Sequence, residues 1–261
     1  MEFDISKIEF SHVDRKRGLV LPKGPSKKLA EFIGILAGDG HVSFNTRYNI
    51  ISVSGDSRLD YDYFHYVKNL IKNLFNINVK IIQRKYKNLI EINFSSLGLF
   101  NFIKGMGYYK HHSRNIKIPN WILNNQDYLL HTLKGLADTD FSLMLYRNRK
   151  KYPHYPVISL SLVDKKIIIL FSKFLEKLGF NVDFIPEDRN FDKRFGKTWI
   201  ESRLRLSGRQ NLQLWMKLIG FRNQRHLNKY EEYLKSGTIT SKKGRPPKII
   251  KGLKKSGAAG I

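Results

Sequence analysis

Hydrophobic and polar positions along the chain change period several times. From Ser26, placed to cap a helix, apolar residues recur at helical spacing through Leu29, Phe32, Ile33, Leu36 and Ala37. The run stops at Gly38-Asp39-Gly40. Period two follows: Val42 and Phe44 alternate with His41, Ser43, Asn45 and Arg47, and Ile51 and Val53 alternate with Ser52 and Ser54. One apolar and one polar face predict a half-buried strand pair. Residues 60–75 predict a helix, 79–84 and 89–94 two more strands, and a short helix starts near Leu97 and ends at Gly105–Gly107.

The same order returns in the second half. A helix closes on Leu133-Lys134-Gly135-Leu136-Ala137-Asp138-Thr139-Asp140. Leu143 and Leu145 alternate with Ser142, Met144 and Tyr146, and Ile158, Leu160 and Leu162 alternate with Ser159 and Ser161. A helix over 165–178 ends at Gly179, strands follow near 182–186 and 198–206, and a helix lies near 209–219. Landmarks keep step: Gly34 and Gly135 lie 101 residues apart, as do Asp39 and Asp140, while Ser95 and Ser207 lie 112 apart. The offset holds inside elements and jumps across loops, most of all in the polar stretch 187–197, where insertions are tolerated. The pattern predicts an α/β (α+β) fold built from two αββαββα repeats. Its boundaries are an arm over 1–25, repeats over 26–117 and 127–235, a linker over 118–126 and a flexible basic tail over 236–261.

Charge narrows the partner. Lys plus Arg number 47 against 22 Asp plus Glu, a net charge of +25. Self-repulsion of that size points to an anionic partner. The cations run from Lys7 to Lys255 instead of lining one amphipathic helix, which favours nucleic acid over a membrane surface. With 41% apolar residues the chain sustains a packed core. The absence of cysteine excludes disulfides, thiolate metal sites and thiol nucleophiles. No apolar run approaches the roughly 18 residues of a membrane span, and the acidic start lacks a signal core, so an intracellular protein is expected.

Glycine inside a helix costs about 1 kcal/mol relative to alanine. Close helix–helix approach gives Gly34, Gly38 and Gly135 a reason. If the two helices touch there, Asp39 and Asp140 emerge side by side. Paired carboxylates repel, and a divalent cation relieves the repulsion. Oxygen ligands suit Mg²⁺, which keeps waters and takes phosphate oxygens from its ligand, and such a centre hydrolyses phosphodiesters. A two-stranded ribbon fits the major groove of duplex DNA. Base-reading candidates are therefore Ser43, Asn45, Arg47, Ser52, Ser54 and Arg84 in the first repeat. In the second they are Tyr146, Arg147, Ser159, Ser161, Arg189, Lys197 and Arg203.

The two helix-end segments resemble the motif of the LAGLIDADG homing endonucleases in their single-chain, two-repeat form. The resemblance spans roughly residues 26–235 and includes the Ser95-Ser96-Leu97 and Leu178-Gly179-Phe180 contexts. It implies a pseudo-twofold DNA-binding saddle with the motif helices at its centre, and a monomer. It implies cleavage of both strands of a long asymmetric double-stranded DNA site, with 3′ overhangs. Mg²⁺ would be the cofactor, with Mn²⁺ or Ca²⁺ substituting in binding. Asp39 and Asp140 fall on the catalytic acid, with Gly38 and Thr139 beside them in the metal shell. A basic group is implied at the end of the fourth strand: Arg205 first, Arg203 second, on an outward face with Glu201 and opposite inward Ile200, Leu204 and Leu206. Phe141 stands where the motif has glycine, threatening the helix-to-strand turn, and Ala37 replaces an acid that Asp138 keeps. The alternative is a cleavage-inactive relative that regulates DNA or acts as a maturase on intron RNA.

Overall fold

The computed structural model describes residues 1–43, 48–111, 115–146, 154–192 and 196–235. Phe44, Asn45, Arg47, Arg147 and the basic stretch 236–261 lie outside the described residues. A short helix α1 (His12–Arg17) precedes the first half: α2 (Lys27–Ala37), β1 (Gly40–Val42), β2 (Ile50–Asp56), α3 (Tyr61–Phe75), β3 (Ile81–Arg84), β4 (Leu89–Ser95) and α4 (Leu97–Gly105). A small hairpin, β5 (Tyr109–His111) and β6 (Asn115–Lys117), and α5 (Asn120–Leu123) lead to the second half. There follow α6 (Gln126–Thr139), β7 (Ser142–Tyr146), β8 (Tyr155–Leu162), α7 (Lys165–Lys177), β9 (Val182–Asp192), β10 (Lys197–Ser207), α8 (Arg209–Leu218) and α9 (Gln224–Lys235).

Each half forms a four-stranded antiparallel sheet, and the two strand orders correspond: β1-β2-β4-β3 and β7-β8-β10-β9. The molecule is thus a mixed α/β fold used twice, with α2 and α6 packed on each other at its centre. Ser26 caps α2 by accepting the Leu29 amide at 3.1 Å, and Asn125 caps α6 by accepting the Asp127 and Tyr128 amides. These bonds satisfy first-turn N–H groups that have no partner inside the helix. Ile51, Val53, Ile90 and Ile92 form the inner face of the first sheet, and Ile158, Leu160, Leu204 and Leu206 that of the second. Helix α3 covers the one face, α7 and α8 the other. The opposite, open face presents Glu91, Asn93, Arg203 and Arg205.

The halves are clasped reciprocally. Asp60, at the start of α3, accepts from the Asn223 side chain at 2.7 Å, a residue beyond α8. Asp164, the equivalent residue at the start of α7, accepts the Ile116 amide at 2.7 Å from beyond α4. Each half therefore sends the segment after its last sheet helix to the other half. The N-terminal arm is tied down too: fully buried Asp14 accepts from the Ser96 hydroxyl at 2.6 Å and the Gly98 amide at 3.0 Å.

Two local expectations differ. The polar stretch 187–197 is strand at both its ends, so β9 and β10 pair over strands of 11 residues each. The pairing of β8 with β10 begins at Ser202, so residues before it run past the sheet. Ile200, expected inward, is 54% exposed there because it lies past the end of the β8 pairing. Pro186, which has no N–H to donate, sits where the β9–β10 register shifts, and its carbonyl accepts from Ser202.

Candidate active site at the paired helix ends

The central helix pair touches backbone to backbone. A methyl on Gly34 would overlap the Thr132 carbonyl, and one on Gly135 would overlap the Glu31 carbonyl. Further along, a methyl on Gly38 would overlap both the Thr139 hydroxyl and the Asp140 carboxylate. The Asp140 side chain therefore lies against the backbone immediately before Asp39. Strand β2 helps fix Asp39, whose carbonyl accepts the Ser54 amide at 3.2 Å.

Two cations close these helix ends. Lys110, on β5, donates to the carbonyls of Leu36, Gly38 and Gly40, the last at 3.0 Å. Arg225, on α9, donates to the carbonyls of Asp138 at 3.0 Å and Thr139 at 2.7 Å. Each thus occupies the negative end of a helix dipole and satisfies carbonyls that have no helical partner. Arg225 is steered from behind by Asp60 at 3.4 Å and by His226, whose Nε2 accepts from the Arg225 Nε at 3.1 Å. Neither Lys110 nor Arg225 has a periodic or motif signal. Both lie shortly after a repeat's last sheet helix.

The electrostatics follow from this crowding. Burial pushes the Asp39 carboxyl up to about 7, the charge of Asp140 pushes it the same way, and Arg225 and Lys110 pull it down. Burial likewise raises Asp140, against Lys110, the Thr139 hydroxyl and Arg225. Burial lowers the Lys110 ammonium, while the two aspartates raise it. Asp138, the acid kept in the second motif, is pushed up to about 6 by burial; the amides of Asn223 and Arg222 bond its carboxylate at 2.9 and 2.7 Å and oppose the shift. It thus holds the crossing segment and is no part of the Asp39–Asp140 pair. Among the described residues no cluster of three or more metal-ligating side chains occurs. The donor set is two carboxylates, an all-oxygen pair that suits Mg²⁺ provided waters and phosphate oxygens complete the shell. The Gly38 and Thr139 carbonyls already accept from Lys110 and Arg225.

Phe141 leaves the turn open. Its ring is buried in the second core, 4.9 Å from the Trp215 ring, and β7 starts at the next residue. The arginines of the fourth strand are paired: Arg203 with Asp188 at 2.6 Å and with the Ser161 hydroxyl at 2.7 Å, and Arg205 with Asp183 at 3.2 Å. Arg84 pairs with Glu91 at 2.9 Å. Ser43 is buried and its hydroxyl bonds the β1–β2 connection, accepting the Ile50 amide at 2.8 Å. Ser159 is buried beside Ser142, hydroxyl to hydroxyl at 3.1 Å. Ser52 and Ser54 lie on β2, opposite Asn93 and Glu91. Tyr146 and Lys197 are exposed at strand ends, and Arg189 opposes Ile200, on the other side of the ribbon from Arg203.

No family model matches the chain. It is 27% identical over 174 residues to the uncharacterized protein MJ0314 of Methanocaldococcus jannaschii, a match covering 64% of this chain and 60% of that protein. The chain therefore spans about 60% of that relative's length. Among solved structures, the homing endonuclease I-WcaI bound to its DNA recognition sequence aligns with a TM-score of 0.51 at 14% identity. That alignment covers 82% of this chain and 91% of I-WcaI. Full-length DUF199/WhiA from Thermatoga maritima also aligns at 0.51, with 17% identity, covering 85% of this chain and 64% of WhiA. The chain shares the fold of the LAGLIDADG homing endonucleases and of WhiA. Among the described residues no helix is long and apolar enough to cross a membrane.

Proposed function

We propose that the chain binds double-stranded DNA on the open faces of its two sheets and hydrolyses one phosphodiester of each strand at Asp39 and Asp140. The observation that carries the reading is the meeting of two half-buried carboxylates, one from each repeat, between Lys110 and Arg225. Asp39 and Asp140 would hold Mg²⁺, which when bound supplies charge for the attacking water and the leaving oxygen. The chain's own groups do the rest. Lys110 and Arg225 place positive charge beside the site, where a phosphate would sit, and their bonds to helix-end carbonyls hold them there before DNA arrives. A charge fixed in advance costs no reorganisation when negative charge develops. The central glycines hold the two acids at one spacing, and the net charge of +25 draws the polyanion in. Arg205, on the rung that runs through Ser159 to Ser142 just past Asp140, would meet phosphate charge near the acids, and Arg203, one rung farther out, would contact the duplex. The target is asymmetric, the working form is a monomer, and the ends carry 3′ overhangs.

The test is Asp39→Asn with a library of duplex targets and Mg²⁺, sequencing any ends produced. Cutting by the native chain and its loss in the variant, with binding retained, is the expected result. Cutting that persists in the variant would remove Asp39 from the chemistry. Sequence-selective binding with no cutting by the native chain would leave a DNA-binding protein of the same fold.

A further inference from the structure

Equivalent positions on the two open faces carry an ion pair with its charges exchanged. In the first half Arg84 on edge strand β3 bonds Glu91 on inner strand β4, through both Nε at 3.1 Å and Nη2 at 2.9 Å. In the second half Asp188 on edge strand β9 pairs with Arg203 on inner strand β10. The registers make these the same place. Arg84 opposes Leu89, two residues before Glu91, and Asp188 opposes Glu201, two residues before Arg203. Behind them Ser54 opposes Glu91, and Ser161 opposes Arg203. The arginine thus springs from the edge strand in one half and from the inner strand in the other. The next rung inward keeps the difference: Arg205 opposes Ser159, whereas Asn93 opposes Ser52.

We propose that the Arg84–Glu91 and Asp188–Arg203 pairs fix which way round the protein sits on an asymmetric duplex. The inference rests on the open faces meeting DNA. In each pair the carboxylate holds the guanidinium, and Ser161 holds Arg203 a second time through Nε. The N–H edge that a guanidinium so held turns away from its carboxylate matches the O6 and N7 acceptors of guanine, and on Arg84 the Tyr86 hydroxyl bonds the same guanidinium. Strands neighbour one another at about 4.8 Å. Exchanging which strand carries the arginine therefore moves its point of attachment by one strand spacing and reverses the side from which the guanidinium approaches the duplex. Two half-sites related by the pseudo-twofold axis then present guanine at different steps, and a palindrome satisfies one half alone.

The test is selection of bound duplexes from a random library without Mg²⁺, using the full chain and the double variant Arg84→Asp/Glu91→Arg. The variant keeps net charge and copies the second half. The native chain is expected to select guanine at unrelated steps of its two half-sites, by about 5- to 150-fold over other bases. In the variant, the preference in the first half-site should move to the step that mirrors the second. As a second variant, Arg203→Gln should lose the guanine preference in its own half-site and leave the other unchanged. Native selection with an unmoved pattern in both variants would overturn the orientation role and leave DNA binding standing. No selection by the native chain would overturn the DNA reading and this inference with it.

Discussion

The two halves agree where they meet and differ where each packs on itself. At the seam the correspondence is close. Gly34 faces the Thr132 carbonyl as Gly135 faces that of Glu31, Asp60 clasps the second half as Asp164 clasps the first, and a cation closes each central helix. One residue past the aspartates it ends. Gly40 sits so close to α2 that a methyl would overlap the Leu36 Cα, whereas Phe141 turns into the second core against Trp215. The difference separates two demands on one motif. The seam demands small residues because two backbones share the space; the turn after the aspartate demands whatever its own core leaves room for.

The largest effect comes from exchanging those turn residues. Phe141→Ala opens a cavity beside Trp215, and deleting a buried phenyl ring costs about 3–5 kcal/mol. At about 2–4 °C per kcal/mol for a chain of this size, the melting temperature should fall by roughly 10 °C. Gly40→Ala should also destabilise, by overlap with backbone. Unchanged melting of Phe141→Ala would mean that the ring is not part of the core.

Next come the two cations. Replacing Lys110 by Met keeps its length and removes its charge from the Leu36, Gly38 and Gly40 carbonyls. Losing a pre-placed charge of this kind costs about 10²- to 10³-fold in turnover. Arg225→Met should act alike, which strand-by-strand cleavage assays on a labelled duplex would show. Full activity in either variant would break the equivalence of the two helix ends.

These residues also show what the sequence made legible. The repeated element order, the central packing of α2 on α6 and the alternation of β2, β4, β8 and β10 were all readable, because periodicity records which face is buried. Lys110, Arg225 and His226 were not, because their roles depend on contacts made across the fold. Lys110 lies 70 to 74 residues from the carbonyls it bonds, and a lone basic residue in a basic chain has no local signal. The length of the β9–β10 pairing was hidden for another reason: past the sheet both faces are wet, so alternation fades and the strand reads as loop. Arg203 and Arg205 were legible as outward-facing, but their partners Asp188 and Asp183 sit on a strand whose register shifts at Pro186.

A smaller effect tests the seam itself. Gly34→Ala and Gly135→Ala each add a methyl against a carbonyl of the facing helix, and overpacking costs about 1–3 kcal/mol. The two should lower the melting temperature by similar amounts. A large effect from one and none from the other would show that the helices share the strain unequally.

The smallest effect concerns the acids. In the metal-free protein burial, helped by Asp140, pushes Asp39 up to about 7, above the 3.8 of a free carboxyl. Between those values the folded state holds a proton that the unfolded chain has released. Stability then falls as pH rises through that window, is whole below about 4, and is fully lost above about 7. Asp39→Asn is neutral at every pH. Its melting temperature should match that of the native chain near pH 4 and exceed it by a few degrees at pH 8. Asp138, pushed up to about 6, titrates in both proteins and cancels from the difference. Asp140→Asn removes the like charge beside Asp39, so it should also raise the melting temperature at pH 8, and the double variant should gain less than the sum. Additive gains would mean that the two carboxylates do not feel each other, and the shared ion-binding site would lose its basis.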